Sequence, residues 1–316
     1  MFVSQALPIG FLLLAAGVAA AAATEDDDQQ RGTTVETHAK IIGGYPITIA
    51  DAPYMVSIRA RYYHEASFGE GHMCGGSVIS QRVVCSAAHC FEINNTTPVQ
   101  FRDSENFVVV AGGTYLNERT EFTAEYLVEQ IIVHHNYIQA TLENDIALLF
   151  LNGIIPNDSM YIRPVSLAEH PFSPGTLCVI NGWGNQKMQL MQAIIPTVHQ
   201  GLCSFIYMYL PRSQICAGWL SGGIDACRGD SGGPLVCMNS LTGIISWGVD
   251  CGRRFFPGVY TNISYFIPWI KMVNATFNYN EFKPMRRSLR SNNNSSFQNL
   301  YYLRNALLLT IIILAT

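Results

Sequence analysis

Three short motifs in this chain bring together residue types that can turn a hydroxyl into a nucleophile. They are Ser86-Ala87-Ala88-His89-Cys90, Asn144-Asp145-Ile146-Ala147-Leu148-Leu149, and Asp225-Ala226-Cys227-Arg228-Gly229-Asp230-Ser231-Gly232-Gly233-Pro234. A serine hydroxyl is a weak nucleophile at neutral pH. An imidazole beside it must take its proton, and a buried carboxylate must hold that imidazole in the right tautomer. His89, Asp145 and Ser231 supply this set. Gly229 and Gly232 flank the serine, and without Cβ atoms the backbone there can turn sharply and aim N–H groups at a developing oxyanion. Each motif alone has a plainer reading. A His beside a Cys is usually structural, an Asp before an apolar run often caps a turn, and a Gly-rich run can be a loop. The three together, in a cysteine-rich chain, point to acyl transfer through a serine nucleophile.

Composition limits the alternatives. Charged residues make up only 13% of the 316, and the net charge is −4. Low charge argues against a disordered chain, and a slightly acidic balance argues against a nucleic-acid binder. Nine cysteines are unusual in a reducing cytosol and ordinary in a disulfide-stapled secreted protein. An odd count leaves at least one thiol without an intrachain partner.

The ends of the chain read as addresses. Phe11 to Val18 is an apolar core followed by the alanine run Ala19 to Ala23, so residues 1–23 are read as a secretory signal, with an uncleaved membrane anchor as the alternative. Residues 24–40 are polar and acidic and read as a propeptide. Residues 278–316 hold a polar stretch (286–296), a spacer and an apolar end from Ala306 to Thr316. Eleven helical residues reach about 16 Å, too short for a bilayer core of roughly 30 Å. The tail is read as a GPI-attachment signal, with attachment near Asn292 to Ser295. A short membrane anchor and an unprocessed tail are the alternatives. Asn-X-Ser/Thr triplets at Asn94, Asn95, Asn157, Asn262, Asn274, Asn293 and Asn294 give weak further support for passage through the secretory route.

Between these ends lie the elements that must position the three motifs. Short apolar runs recur at Tyr54–Arg59, Gly76–Cys85, Phe107–Ala111, Leu127–Val133, Ile146–Leu151, Leu177–Asn181, Leu235–Cys237 and Leu241–Trp247, punctuated by Gly, Pro, Asn and Ser. This pattern predicts an all-β sandwich or barrel of antiparallel strands. Only Ile263 to Phe277 has helical spacing, with Ile263, Phe266, Ile267, Ile270 and Val273 on one face, so a single closing helix is expected.

From Ile41 to Phe277 the chain resembles the chymotrypsin-like (trypsin-fold) serine proteases. Supporting motifs are Ile41-Ile42-Gly43-Gly44, Cys74-Gly75-Gly76-Ser77, Gly182-Trp183-Gly184, Ser246-Trp247-Gly248 and Pro257-Gly258-Val259-Tyr260. The resemblance implies a protease domain over residues 41–277, with two packed six-stranded antiparallel barrels and the site between them. His89 and Asp145 would come from the first barrel and Ser231 from the second, with the N–H groups of Gly229 and Ser231 forming the oxyanion hole. It also implies the disulfides Cys74–Cys90, Cys178–Cys237, Cys203–Cys216 and Cys227–Cys251. That leaves Cys85, in an apolar run, as a buried and inert thiol.

The same resemblance implies a secreted or membrane-tethered endopeptidase acting through an acyl-enzyme. Lys40–Ile41 would be a zymogen activation bond, cut by another protease that prefers a basic residue. The new amine at Ile41 would bury against Asp230. Asp225 would floor the primary specificity pocket and select Arg or Lys before the cleaved bond, with Gly248 and Gly258 keeping the walls open. Ala226 stands where many trypsins carry a serine, which predicts a preference for Arg over Lys. Arg228 at the pocket entrance would disfavour basic residues after the bond. Ala60–Met73 and Phe91–Asn106 are long for the family and would restrict access. No cofactor or nucleic-acid partner is expected. Calcium is left open, because ligands within Glu118 to Glu125 cannot be assigned. The rival reading is an inert protease homologue that acts as a binding or adaptor protein.

Overall fold

The computed structural model describes residues 41–93, 96–156, 159–184 and 188–278. The signal and propeptide readings, Lys40, the tail beyond 278 and the sequons at Asn94, Asn95, Asn157, Asn293 and Asn294 lie outside those residues. Of the two sequons within them, Asn274 is exposed, whereas the Asn262 amide donates to the Arg212 carbonyl at 3.0 Å.

Six strands form a closed barrel: β1 (Met55–Ala60), β2 (His72–Ser80), β3 (Val83–Ser86), β4 (Phe107–Ala111), β5 (Ala124–Val133) and β6 (Ala147–Asn152). The order is β1-β2-β3-β6-β5-β4, closed by β4 against β1, and every pairing is antiparallel. Phe107–Ala111 and Leu148–Leu151 are buried throughout. Strands covered on both faces read as continuous apolar runs instead of alternating ones, which is why these segments were legible.

A second set of six strands follows: β7 (Leu177–Gly182), β8 (Met191–Pro196), β9 (Gln214–Ala217), β10 (Pro234–Cys237), β11 (Ser240–Trp247) and β12 (Gly258–Asn262). Their order is β8-β7-β10-β11-β12-β9, again antiparallel. The two edges meet where Val198 N–H donates to Cys216 O and Gly218 N–H to Pro196 O, both at 2.9 Å. The arrangement is therefore barrel-like, and the expected two-barrel architecture is present.

The closing helix α3 runs Ile263–Thr276 and buries the expected stripe, with Trp269 widening it. These side chains join the same core as the first barrel, packing beside Val236, Leu241 and Ile244. Each fully buried side chain of this size contributes roughly 1.5–3 kcal/mol, so packing holds the helix more than propensity does.

Several expectations need correction. The single run Gly76–Cys85 is two strands, β2 and β3, broken at the polar pair Gln81-Arg82, where Gln81 exchanges hydrogen bonds with the Ile155 backbone. Strands β8, β9 and β12 were not anticipated. Nor is α3 the only helix: α1 (Arg61–Ala66) and α2 (Gln200–Ile206) also form. At six and seven residues they are too short to display a 3.6-residue period. α1 occupies the long Ala60–Met73 stretch, and a two-stranded ladder of Glu92–Ile93 with Gln100–Phe101 occupies Phe91–Asn106.

Candidate active site

The β3–β6 ladder brings the first two motifs together. Ser86 lies opposite Ala147, so the chain just after β3 faces the chain just before β6. His89 sits on the 3-10 turn Ala88–Phe91 and Asp145 two residues before β6. Asp145 Oδ1 accepts the His89 backbone N–H at 2.9 Å. Its Oδ2 accepts from His89 Nδ1 at 2.8 Å and from the Ser246 hydroxyl at 2.5 Å. The Thr261 hydroxyl donates to the Asp145 carbonyl at 2.7 Å. An ionised carboxylate only accepts, so Nδ1 carries the imidazole hydrogen and Nε2 presents a lone pair.

The charges are coupled. Burial would push Asp145 up, but the His89 charge and the hydrogen bonds from His89 and Ser246 outweigh it and hold the acid below the usual carboxylate range. Burial works against a His89 cation, but the Asp145 charge and hydrogen bond, with help from Glu92, hold the imidazole above its usual value.

The nucleophile loop is pressed against the same region. Gly75 N–H donates to the Ser231 carbonyl at 2.8 Å. A Cβ on Gly232, whose φ is +76°, would stand 2.1 Å from Ser86 Oγ and 2.6 Å from Gly75 O, so only glycine lets the loop approach this closely. The Cys74–Cys90 disulfide fastens β2 to the turn that carries His89. Ser231 and His89 thus belong to one tightly tied neighbourhood. Gly229 has a φ of +94°. Among the described residues, the N–H groups of Gly229 and Ser231 donate to no protein acceptor, which leaves both able to face an oxyanion.

Beside Ser231 opens a cleft of about 270 Å³. Asp225 is buried on its wall with Ala226, Trp247, Gly248, Gly258 and Tyr260. Asp225 Oδ1 accepts from Ala226 N–H at 2.8 Å and Oδ2 from Gly252 N–H at 3.0 Å. No cation pairs with it among the described residues, and burial pushes its carboxyl up to about 6 despite those two backbone bonds. A Cβ on Gly258 would lie 2.9 Å from Asp225 Oδ1, so glycine keeps the approach to the acid clear. The Tyr260 hydroxyl is buried and has no hydrogen-bond partner among the described residues. Exposed Arg228 also lines the cleft.

Asp230 is wholly buried. Its carboxylate accepts from Gly184 N–H at 2.7 Å and Cys227 N–H at 2.9 Å, yet burial pushes it up to about 7. A Cβ on Gly182 or Gly184 would fall 2.0 or 2.4 Å from its oxygens, so these glycines make the space the acid occupies. Ile41 is buried in the second-barrel core, and Ile42 and Asp225 exchange backbone hydrogen bonds at 2.8 and 3.2 Å. The segment that would follow the activation bond therefore runs beside the cleft.

The remaining disulfides are Cys178–Cys237, Cys203–Cys216 and Cys227–Cys251, the last tying the nucleophile loop to the cleft wall. Cys85 is free and wholly buried, with burial pushing its thiol up to about 12, so it holds little thiolate. Cys74, His89 and Cys90 lie close enough to suggest a metal site, but the two sulfurs are bonded to each other.

Some participants were not read as site residues from the sequence. Ser246 and Thr261 come from β11 and β12 to hold Asp145. His72, two residues before Cys74, carries Nε2 at 3.0 Å from the Gly229 carbonyl. Only the fold brings these residues, distant in sequence, to the site.

The family model for trypsin matches residues 41–270. Similar proteins include Trypsin I-P1 of Gallus gallus, 36% identical over 246 residues that cover 75% of this chain and 90% of that protein. Trypsin of Xenopus laevis is 37% identical over 75% of this chain and 91% of its own length. Anionic trypsin of Canis lupus familiaris is 37% identical over 76% and 91%.

Proposed function

Since the chain belongs to the trypsin family and is a serine-type endopeptidase, we propose that it cuts protein chains after Arg or Lys, with His89, Asp145 and Ser231 as the catalytic residues. The observation that carries the specificity is Asp225, a buried carboxylate with only backbone partners among the described residues, on the wall of the cleft beside Ser231.

Ser231 Oγ attacks the substrate carbonyl while its proton passes to His89 Nε2. The carbonyl oxygen becomes an oxyanion that accepts from the N–H groups of Gly229 and Ser231. The imidazolium, steadied by Asp145, then gives its proton to the leaving amine as the C–N bond breaks, leaving an acyl-enzyme. Water repeats the steps: His89 takes its proton, oxygen bonds to the acyl carbon, and Ser231 is released protonated.

The Asp225 carboxylate must be ionised to hold a substrate cation. Affinity for benzamidine, an arginine side-chain mimic, is expected to fall as pH drops through about 6, approaching tenfold per unit below it. An inhibition constant that stays flat from pH 7 to 4.5 would contradict this assignment. Ala226 brings a methyl group where a hydroxyl could have helped hold an ammonium, whereas a guanidinium can bind the carboxylate with paired hydrogen bonds. Profiling a substrate library is expected to show higher kcat/KM for Arg than for matched Lys substrates. Equal turnover would refute the preference.

Cleavage at Lys40–Ile41 by a protease with basic specificity activates the enzyme in this reading, with the new amine neutralising Asp230. The leader places it in the secretory route. The C-terminal tail tethers it to the cell surface through GPI attachment. Burial of Ile41 and the uncompensated acid at Asp230 support the first of these steps.

A further inference from the structure

The Gly229 carbonyl ends a chain of buried hydrogen bonds that no part of the mechanism above uses. His72 Nε2 lies 3.0 Å from that carbonyl, and His72 Nδ1 lies 2.8 Å from Ser57 Oγ. Arg59, only 1% exposed, donates from Nε to the same Ser57 oxygen at 3.0 Å. It also donates from Nη2 to the Leu116 carbonyl at 2.9 Å. Its Nη1 lies 3.4 Å from His64 Nδ1, and His64 Nε2 lies 2.9 Å from Glu125 Oε2, while Arg119 pairs the other oxygen of that carboxylate, Oε1. The Phe68 ring sits under both guanidinium groups, 4.7 Å from Arg59 and 4.2 Å from Arg119.

Donor arithmetic gives this chain a direction. A guanidinium has donors and no acceptor. Ser57 Oγ therefore accepts from Arg59. The Gly229 carbonyl also only accepts, so the hydrogen between it and the ring sits on His72 Nε2, and the Ser57 hydrogen goes to His72 Nδ1. The neutral ring thus accepts at Nδ1 and donates from Nε2 to the Gly229 carbonyl. Burial, with the Arg59 charge adding to it, pushes the His72 imidazole down to about 4, so the ring is neutral at working pH.

We propose that Arg59 is a positioning residue for the oxyanion hole: through Ser57 it fixes the His72 tautomer that grips the Gly229 carbonyl and so sets where the Gly229 N–H points. Without Arg59 the Ser57 oxygen loses the donor that holds it, and its hydrogen is free to turn away from His72 Nδ1. The ring then divides between tautomers, and one of them turns a bare nitrogen toward a carbonyl oxygen. The grip matters because Gly229 stands at φ +94° with no side chain to hold it. The chain also gives α1 a task. His64 on α1, with Phe68 just beyond, covers Arg59.

This inference rests on the Gly229 N–H being an oxyanion donor, so the test separates the two. Wild-type, Arg59→Met, Ser57→Ala and Ser57→Thr chains are cleaved at Lys40 and titrated with two probes. One is benzamidine, which reads only the Asp225 cleft. The other is a peptidyl aldehyde ending in Arg, whose carbon bonds to Ser231 Oγ while its oxygen takes up the oxyanion position. Nitrogen NMR of His72 reports which ring nitrogen is protonated. Arg59→Met and Ser57→Ala are expected to bind the aldehyde about 10-fold more weakly, less than the 10²–10³ lost with a whole donor, and to show mixed His72 tautomers. Benzamidine should stay within about twofold of wild type, and Ser57→Thr, which keeps the hydroxyl, should match wild type throughout. Should Arg59→Met fail to fold, Ser57→Ala carries the test. Unchanged aldehyde binding, equal losses for both probes, or a retained Nε2–H tautomer would overturn the proposal. A wild-type enzyme that binds benzamidine but not the aldehyde would overturn the oxyanion-hole reading, and this inference with it.

Discussion

Asp145→Asn is expected to lower kcat by about 10⁴-fold, the scale of loss when a triad carboxylate becomes an amide, while the fold and the affinity for benzamidine stay near wild type. The hydrogen-bond geometry gives the reason. Asp145 receives three hydrogens: the His89 backbone N–H on Oδ1, and His89 Nδ1–H and the Ser246 hydroxyl on Oδ2. An asparagine has one oxygen. The backbone N–H cannot rotate away, so the oxygen stays with it and the NH₂ group faces His89. The imidazole must then accept at Nδ1 and carry its hydrogen on Nε2, the atom that has to take the Ser231 proton. Ser246 can rotate its hydrogen away and accept instead, so the variant loses the base without leaving a buried donor stranded. The pH profile should move as well. Asp145 raises the His89 pKa, so its loss shifts the acid limb of the residual activity to lower pH. A kcat within tenfold of wild type, or an unmoved limb, would remove Asp145 from the mechanism.

Lys40→Gln is expected to leave a folded chain with roughly 10²–10⁴-fold less activity than the cleaved enzyme after exposure to an activator of basic specificity. Asp230 is the physical cause. In the intact chain, position 41 contributes a peptide nitrogen, and among the described residues the acid has only two backbone N–H partners in a wholly buried site. An uncompensated buried charge costs about 3–5 kcal/mol, which corresponds to that range in the population of the ordered site. An amine at Ile41 would relieve the cost. Asp230 also adjoins Ser231, and Gly229 precedes it, so a shift of this acid moves both proposed oxyanion donors. The sign of the pH effect can be checked independently. Burial raises the folded-state value of Asp230 to about 7, above its unfolded value. Between pH 4 and 7 the folded intact chain then binds more protons than the unfolded one, and this acid makes stability fall as pH rises. Cleavage should flatten that fall, which thermal unfolding of the two forms would show. An intact Lys40→Gln chain with full activity would sink the activation model.

Local sequence carried the chemistry better than the architecture. His89, Asp145 and Ser231 stood out because each lies in a short motif of unusual composition. The strands around them were legible where both faces are covered, as at Phe107–Ala111. Elements that owe their form to distant partners were hidden. β9 has four residues and takes its place from pairing with β12, and α1 is less than two turns long, with its His64 packed on Arg59. The supporting shell was hidden for the same reason. Ser246, Thr261 and His72 reach the site across 101, 116 and 157 positions of sequence, and although Ser246 opens the motif Ser246-Trp247-Gly248, nothing local marks any of the three as a partner of Asp145 or Gly229. Cys85 shows the opposite case: once the resemblance had paired the other eight cysteines, its apolar run was enough to predict that the remaining thiol is buried.

The most direct test of the central claim is covalent labelling. The chain is cleaved at Lys40–Ile41, treated with an organophosphate, digested and mapped by mass spectrometry. One phosphoryl group per cleaved chain is expected, carried by Ser231, with the intact chain and Asp145→Asn labelled far more slowly. A cleaved chain that still binds benzamidine but takes no label on Ser231 would rule out Ser231 as the nucleophile and recast the molecule as a binding protein built on a protease fold.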